Sequence, residues 1–136
     1  MKDLEYQEQC ALFRWAAFNE KQYPELKLLY ASANGGKRNK ITAVRLKRSG
    51  VKAGIPDIHL PVPRRFYHGL FIELKVGKNK VTPLQQVWID NLNSQGYHAV
   101  VCYGWLEARD TIIRYLLMIE EVLNQARQGK VYLKTP

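Results

Sequence analysis

Cysteine is scarce: Cys10 and Cys102 are the only two in 136 residues. Neither is flanked by the paired spacing of a zinc site, and two isolated thiols build no disulfide framework. Both read as buried thiols in a reducing compartment. Long apolar runs are missing too. No stretch approaches the roughly 20 residues needed to span a bilayer, and the N-terminus shows no signal-peptide core. A soluble, intracellular, cytoplasmic protein is expected. Acidic residues are few: 12 Asp and Glu stand against 21 Lys and Arg, for a formal charge of +9. Not one acid falls between residues 32 and 56. That imbalance predicts a polyanionic partner, nucleic acid first. No internal repeat or long linker divides the chain. An apolar share of 46% over this length supports one core, so a single domain spanning 1–136 is expected.

What is present centres on Gly54 to Lys75. Asp57 opens a short apolar run from Ile58 to Val62. Two prolines and the pair Arg64–Arg65 interrupt it. A second run follows, with Leu70, Ile72, Leu74 and Val76 at period two, the mark of a strand with one buried face. Phe71, Glu73 and Lys75 then share the other face. An E-x-K pair on a strand is commonly an exposed ion pair. Here Pro56–Asp57 and the basic surroundings set it apart, because charges on so apolar a strand need partners or a metal. Two carboxylates at the ends of adjacent strands can hold a hard divalent cation. A lysine two residues further on stands beside an attacking water and a phosphate. Together these are the groups that metal-assisted phosphodiester hydrolysis requires.

In chain order, Asp3 to about Asn19 predicts a helix with a broad apolar face through Leu12, Trp15 and Ala16. Glu5 and Gln9 lie one turn apart on it, and Glu8 is close by. Leu26 to Ala31 predicts a strand. Ser32 to Gly36 is a loop, in which Asn34 is either a turn residue or a neighbour of the site. Lys37, Arg38, Lys40, Arg45, Lys47, Arg48 and Lys52 follow as the densest basic patch, without interleaved aromatics. Ile41 to Ser49 predicts a helix with Ile41, Val44 and Leu46 or Arg48 toward its buried side, laid along a phosphate backbone. Arg64 and Arg65, beside Phe66, Tyr67 and His68, mark a loop tip suited to DNA contact or to an ordinary hairpin connection. Lys78 and Lys80 form a basic turn. Thr82–Pro83 signals a helix start, running to about Ser94, with Trp88, Ile89 and Leu92 as core residues. Tyr97 to Tyr103 predicts an apolar strand. Glu107 to Gln128 predicts a last helix richer in apolar residues than one sheet face needs. Val131 to Leu133 reads as an optional edge strand.

Gly54-Ile-Pro-Asp57 with Glu73-Leu-Lys75 resembles the PD-(D/E)XK nuclease signature. More narrowly, the chain resembles a stand-alone VRR-NUC domain from Glu5 to about Leu117. The likeness extends through Asn34-Gly-Gly-Lys-Arg38, Gly50-Val-Lys-Ala-Gly54, Pro61-Val-Pro63, His68-Gly69 and Thr82-Pro83 with Gln85 and Trp88. The resemblance implies an α/β fold, a restriction-endonuclease-like core with a mixed central β-sheet flanked by helices. It implies Mg²⁺ or Mn²⁺ held by Asp57 and Glu73, with the Leu74 carbonyl as a further ligand. It gives Lys75 the water or the developing charge, and brings Gln85 beside Lys75. Glu5 becomes the helix carboxylate, with Glu8 its rival, and His68 falls outside the catalytic motif. The implied activity is a structure-specific DNA endonuclease, a homodimer acting on four-way or otherwise branched DNA, in a bacterial cell or phage-infected host. A non-specific or flap- or nick-directed endonuclease is the alternative, as is a non-catalytic DNA-binding module that retains the fold.

Overall fold

The computed structural model describes residues 2–32 and 40–129, with the backbone alone for residue 2 and residues 119–126. Asn34, Lys37, Arg38 and the 131–133 segment lie outside the described residues.

Four strands form one mixed sheet in the order β1-β2-β3-β4: β1 (Tyr30–Ala31), β2 (Ile58–Leu60), β3 (Leu70–Lys75) and β4 (His98–Tyr103). The first two pairings are antiparallel and β3 with β4 is parallel. Helices α1 (Lys2–Phe18), α2 (Lys40–Arg48), α3 (Pro83–Ser94) and α4 (Trp105–Arg127) complete the element order. This is an α/β architecture with a mixed central sheet flanked by helices, the restriction-endonuclease-like core.

The parallel pair requires a crossover, and α3 supplies it. Thr82 caps α3 and Gln85 closes a capping box with it, as Thr82–Pro83 predicts. One sheet face packs on α1 and α4 and holds the main core. Leu12, Leu60, Ile72, Ile112 and Tyr115 there are fully buried, each apolar side chain contributing about 1.5–3 kcal/mol. The Tyr115 hydroxyl donates to the Val62 carbonyl at 2.6 Å, so its polar end is satisfied inside that core. The opposite face is covered in part by α3, through Phe71, Ile89 and Ala99 with Leu92 and Tyr97 beside them.

Some expectations change. The stretch predicted as a strand from Leu26 is a short 3₁₀ helix, Pro24–Leu28, followed by a strand of only two residues. Pro24 fixes a helical φ at its start, and that local preference wins over the apolar run. Helix α2 forms as predicted, but no residue of it is buried, and Ile41 is 70% exposed. Cys102 is buried but Cys10 only half so. Trp88 is half-buried rather than core, and its indole N–H donates to the Ala53 carbonyl at 3.1 Å. That bond pins the lead-in to β2. Gly54 in this lead-in has φ +90, and a Cβ there would meet Leu84 Cγ at 2.7 Å, so only glycine fits the approach to α3.

Candidate active site

Register decides which side chains meet. Ile58 pairs with Ile72 and His59 with Phe71, so Asp57, just before β2, stands opposite Glu73. Across the parallel pair, Glu73 faces Val101 and Lys75 faces Tyr103. Asp57, Glu73 and Lys75 therefore share the face opposite the main core. They sit at the end of the sheet where β3 and β4 finish and β2 begins.

Both faces of β3 are buried, so the expectation of one buried face was too narrow. The consequence falls on its charges: Glu73 is 2% and Lys75 7% exposed. Lys75 Nζ lies 3.6 Å from Glu73 Oε1, a long ion pair. Glu73 Oε2 is buried with no hydrogen-bond partner. The Leu74 N–H donates to Asp57 Oδ2 at 3.0 Å, which fixes one carboxylate oxygen and turns the group toward β3. Burial and then the Asp57 charge push the Glu73 carboxyl up to about 8, against the pull of Lys75. Burial also raises Asp57, opposed by the Leu74 N–H bond. Two carboxyls held above the ordinary range mark a site short of positive charge.

Helix α1 brings its carboxylates to different places. Glu5 is close enough to Asp57 for its charge to raise the Asp57 carboxyl, and Glu5 Oε1 accepts from Asn79 Nδ2 at 3.3 Å. Glu8 Oε2 instead accepts from the Trp105 N–H at 2.8 Å, at the first residue of α4. It occupies an otherwise orphaned N-terminal donor and meets the positive end of that helix. Glu8 thus has structural work, whereas Glu5 stands by the sheet-end site. Asn79 escapes a reading of the sequence, since nothing marks a turn asparagine between Lys78 and Lys80 as the partner of a residue on α1.

Gln85 has its side-chain oxygen committed to the Thr82 N–H at 3.0 Å. That bond is half of the capping box at the start of α3. Among the basic residues, Lys40, Arg45, Lys47, Arg48 and Lys52 are all exposed on α2 and after it, and Lys78 and Lys80 are exposed in the turn after β3. Arg64 corrects the expectation of DNA contact. Its guanidinium is half-buried, bonded to Glu25 at 2.8 Å and to the Leu116 carbonyl at 3.1 Å. Arg65 is exposed at a tip with φ 55, its guanidinium 5.9 Å from the Phe66 ring centre. That tip is at the other end of the strands, remote from Asp57 and Glu73. His68 also lies at that far end, against Gly96 and Tyr97.

Among the described residues no group of three or more His, Cys, Asp and Glu is gathered to hold a metal ion. No helix among them is long and apolar enough to cross a membrane.

A restriction-endonuclease-like sheet that ends in two buried or half-buried carboxylates and a buried lysine defines a class, the nuclease domains. The family can be stated as well. The family model of the VRR-NUC domain matches residues 2–105. A solved structure described as a VRR_NUC domain protein is 32% identical, with a TM-score of 0.72 over 85% of this chain and 89% of that one. No curated protein matches. The chain belongs to the VRR-NUC domain family.

Proposed function

We propose that this chain is a Mg²⁺- or Mn²⁺-dependent endonuclease that hydrolyses phosphodiester bonds in branched DNA, four-way junctions foremost, as a homodimer of single 1–136 domains. The observation that carries the chemistry is the partnerless, buried Glu73 Oε2 beside Asp57 at the sheet end. A carboxylate oxygen kept from water and from donors is stabilised by a cation brought with the substrate.

The donors suit such an ion. Asp57 keeps one oxygen beyond the one bound to the Leu74 N–H, Glu73 offers Oε2, and the Leu74 carbonyl is a backbone donor on the same strand. Mg²⁺ takes one or two carboxylates and keeps several waters, so a third side chain is not required. When bound, the ion supplies charge neutralisation at the phosphodiester and activates water for hydrolysis. The chain's own groups do the rest. Lys75 donates from Nζ to the attacking water or to a phosphate oxygen as charge grows there. Glu5, held by Asn79, orients water at the edge of the site or assists a second ion. The amide nitrogen of Gln85 acts beside Lys75. Lys37, Arg38, Lys40, Arg45, Lys47, Arg48, Lys52, Arg65, Lys78 and Lys80 contribute affinity for the phosphate backbone rather than chemistry. Arg64 drops out of that set because Glu25 and the Leu116 carbonyl already hold its guanidinium.

The dimer is supported by symmetry and by surface. One site cuts one strand, and a four-way junction needs two matched cuts, which a two-fold pair supplies. Leu106 and Leu117 on α4 remain 50% and 39% exposed. The test is cleavage of labelled four-way junction, flap, nicked and plain duplex DNA in Mg²⁺ and Mn²⁺, with light scattering at the assay concentration. Junction-selective cutting by a dimer is expected. A strictly monomeric protein that cuts junction and duplex at one rate overturns the junction reading and leaves a general endonuclease.

A further inference from the structure

One polar group on the site face has no part in metal binding or hydrolysis. His59 lies on β2 two residues from Asp57, so both side chains project from the same face, about 7 Å apart along the strand. Its imidazole stacks flat on Phe71, at 3.9 Å between ring centres and 5° between planes. On its other side the strand β1 places Tyr30, the register partner of His59, edge-on at 5.2 Å. The Tyr30 hydroxyl and His59 Nδ1 are hydrogen-bonded at 2.7 Å. His59 Nε2 is buried and has no partner.

These contacts choose the tautomer. A buried N–H without an acceptor costs more, and is rarer, than a buried lone pair without a donor. The neutral ring therefore carries its hydrogen on Nδ1 and leaves Nε2 bare. Nδ1–H then donates to the Tyr30 oxygen, and the Tyr30 O–H is left free to donate elsewhere. Tyr30 is 50% exposed, on the edge strand of the sheet, opposite His59. The result is a fixed, uncharged hydroxyl donor, held by a clamped histidine, on the face that carries Asp57 and Glu73.

We infer that Tyr30 donates a hydrogen bond to a non-bridging oxygen of a phosphate flanking the scissile one, and that His59 is the positioning residue that aims it. The inference rests on the nuclease reading for what lies at the carboxylates, but its observable is DNA affinity. A tyrosine hydroxyl is a usual phosphate ligand. It adds no positive charge, so it places the strand without adding to counterion release. This separates its work from that of the lysines and arginines.

The test uses the full chain and labelled four-way junction and duplex DNA. Binding is read by anisotropy in EDTA over a range of salt, and cleavage in Mg²⁺. Tyr30→Phe keeps both rings and removes only the hydroxyl. It is expected to weaken binding about tenfold, as loss of a hydrogen bond to a charged acceptor does, with an unchanged salt slope. His59→Asn keeps a donor where Nδ1 stood, whereas His59→Leu keeps apolar bulk and no donor. If aiming matters, the Asn variant binds more tightly than the Leu variant. If the ring is packing alone, the order reverses. His59→Leu should add nothing in a Tyr30→Phe background. Parent-like binding by Tyr30→Phe, or a Leu variant that outperforms Asn, overturns the inference and leaves the nuclease reading intact. A parent that binds DNA but cuts none of it overturns the nuclease reading, while the Tyr30 comparison still decides this one. A parent that binds no DNA ends both.

Discussion

Replacing Glu73 by Gln tests the charge imbalance of the site directly. In the folded protein this carboxyl keeps its proton to about pH 8, against 4.5 in a free glutamate. Its folded value is raised, so between those limits the folded state holds a proton that the unfolded chain has released. Stability from this group is complete below about pH 4.5 and is lost as pH rises through 8. The full separation sets a ceiling of about 5 kcal/mol. Asp57 and Lys75 adjust with it, so the realised effect falls below that ceiling.

Glutamine keeps the shape and cannot ionise. Thermal melts of parent and Glu73→Gln from pH 5 to pH 9 without divalent metal should therefore coincide near pH 5 and diverge above it. The variant should be the more stable, by roughly 3–5 °C for each kcal/mol. Added Mg²⁺ should raise the parent's melting temperature at pH 8 and move the variant's less, because a bound cation stabilises only the form that holds it. Cleavage should be lost in the variant throughout. Parallel pH curves for the two proteins, with no divergence up to pH 9, would refute the reading of Glu73 as a buried carboxyl that Lys75 only partly compensates.

Asp57→Asn should abolish cleavage and leave DNA affinity largely in place, and cutting by a preparation free of host nuclease would remove Asp57 from the metal site. Neutralising Arg45, Lys47 and Arg48 together should lower the salt slope of DNA binding by about 0.9 for each phosphate that these side chains neutralise in the parent, with little change in melting temperature because no residue of α2 is buried; a parent-like slope would move the binding surface elsewhere. Glu8→Ala should cost about 1 kcal/mol of stability through the uncapped start of α4 and leave the rate per folded molecule unchanged. Glu5→Gln should do the reverse, lowering the rate with a parent-like melting temperature; matching kinetic losses in both variants would show that α1 acts only as a scaffold.

The fold was legible wherever periodicity and punctuation agreed. Thr82–Pro83 marked the start of α3 because the capping box is a local structure, complete within four residues. The apolar run of β3 and the motif on it were legible for the same reason. What could not be read depended on contacts between distant segments. Glu5 and Glu8 are alike in sequence, and only the arrival of Trp105 at one and Asn79 at the other separates them. Arg64 looked like a DNA ligand until Glu25 and Leu116 were brought against it. The exposure of α2 is not legible, because amphipathic spacing through Ile41 and Val44 predicts a buried side, whereas no residue of the helix is buried among the described residues.

Strand register also limits how DNA can lie on the protein. Strands β2 and β3 carry their motif residues at one end and the Arg65–Phe66 tip at the other. DNA touching both ends would have to span the length of β3 and the hairpin beyond it, about 20 Å or more at 3.3 Å per residue. On the proposed reading, contacts near the scissile bond come from the turn with Lys78 and Lys80 that follows β3, from Tyr30 on the edge strand, and from the lead-in to β2 with Lys52. Trp88 and Gly54 pin that lead-in to α3, so the basic helix is tied to the same rigid support that orients Asp57. On the proposed reading, affinity and chemistry are carried by different residues on one frame. This is why removing the α2 charges should change how tightly DNA binds without changing what happens to it once bound.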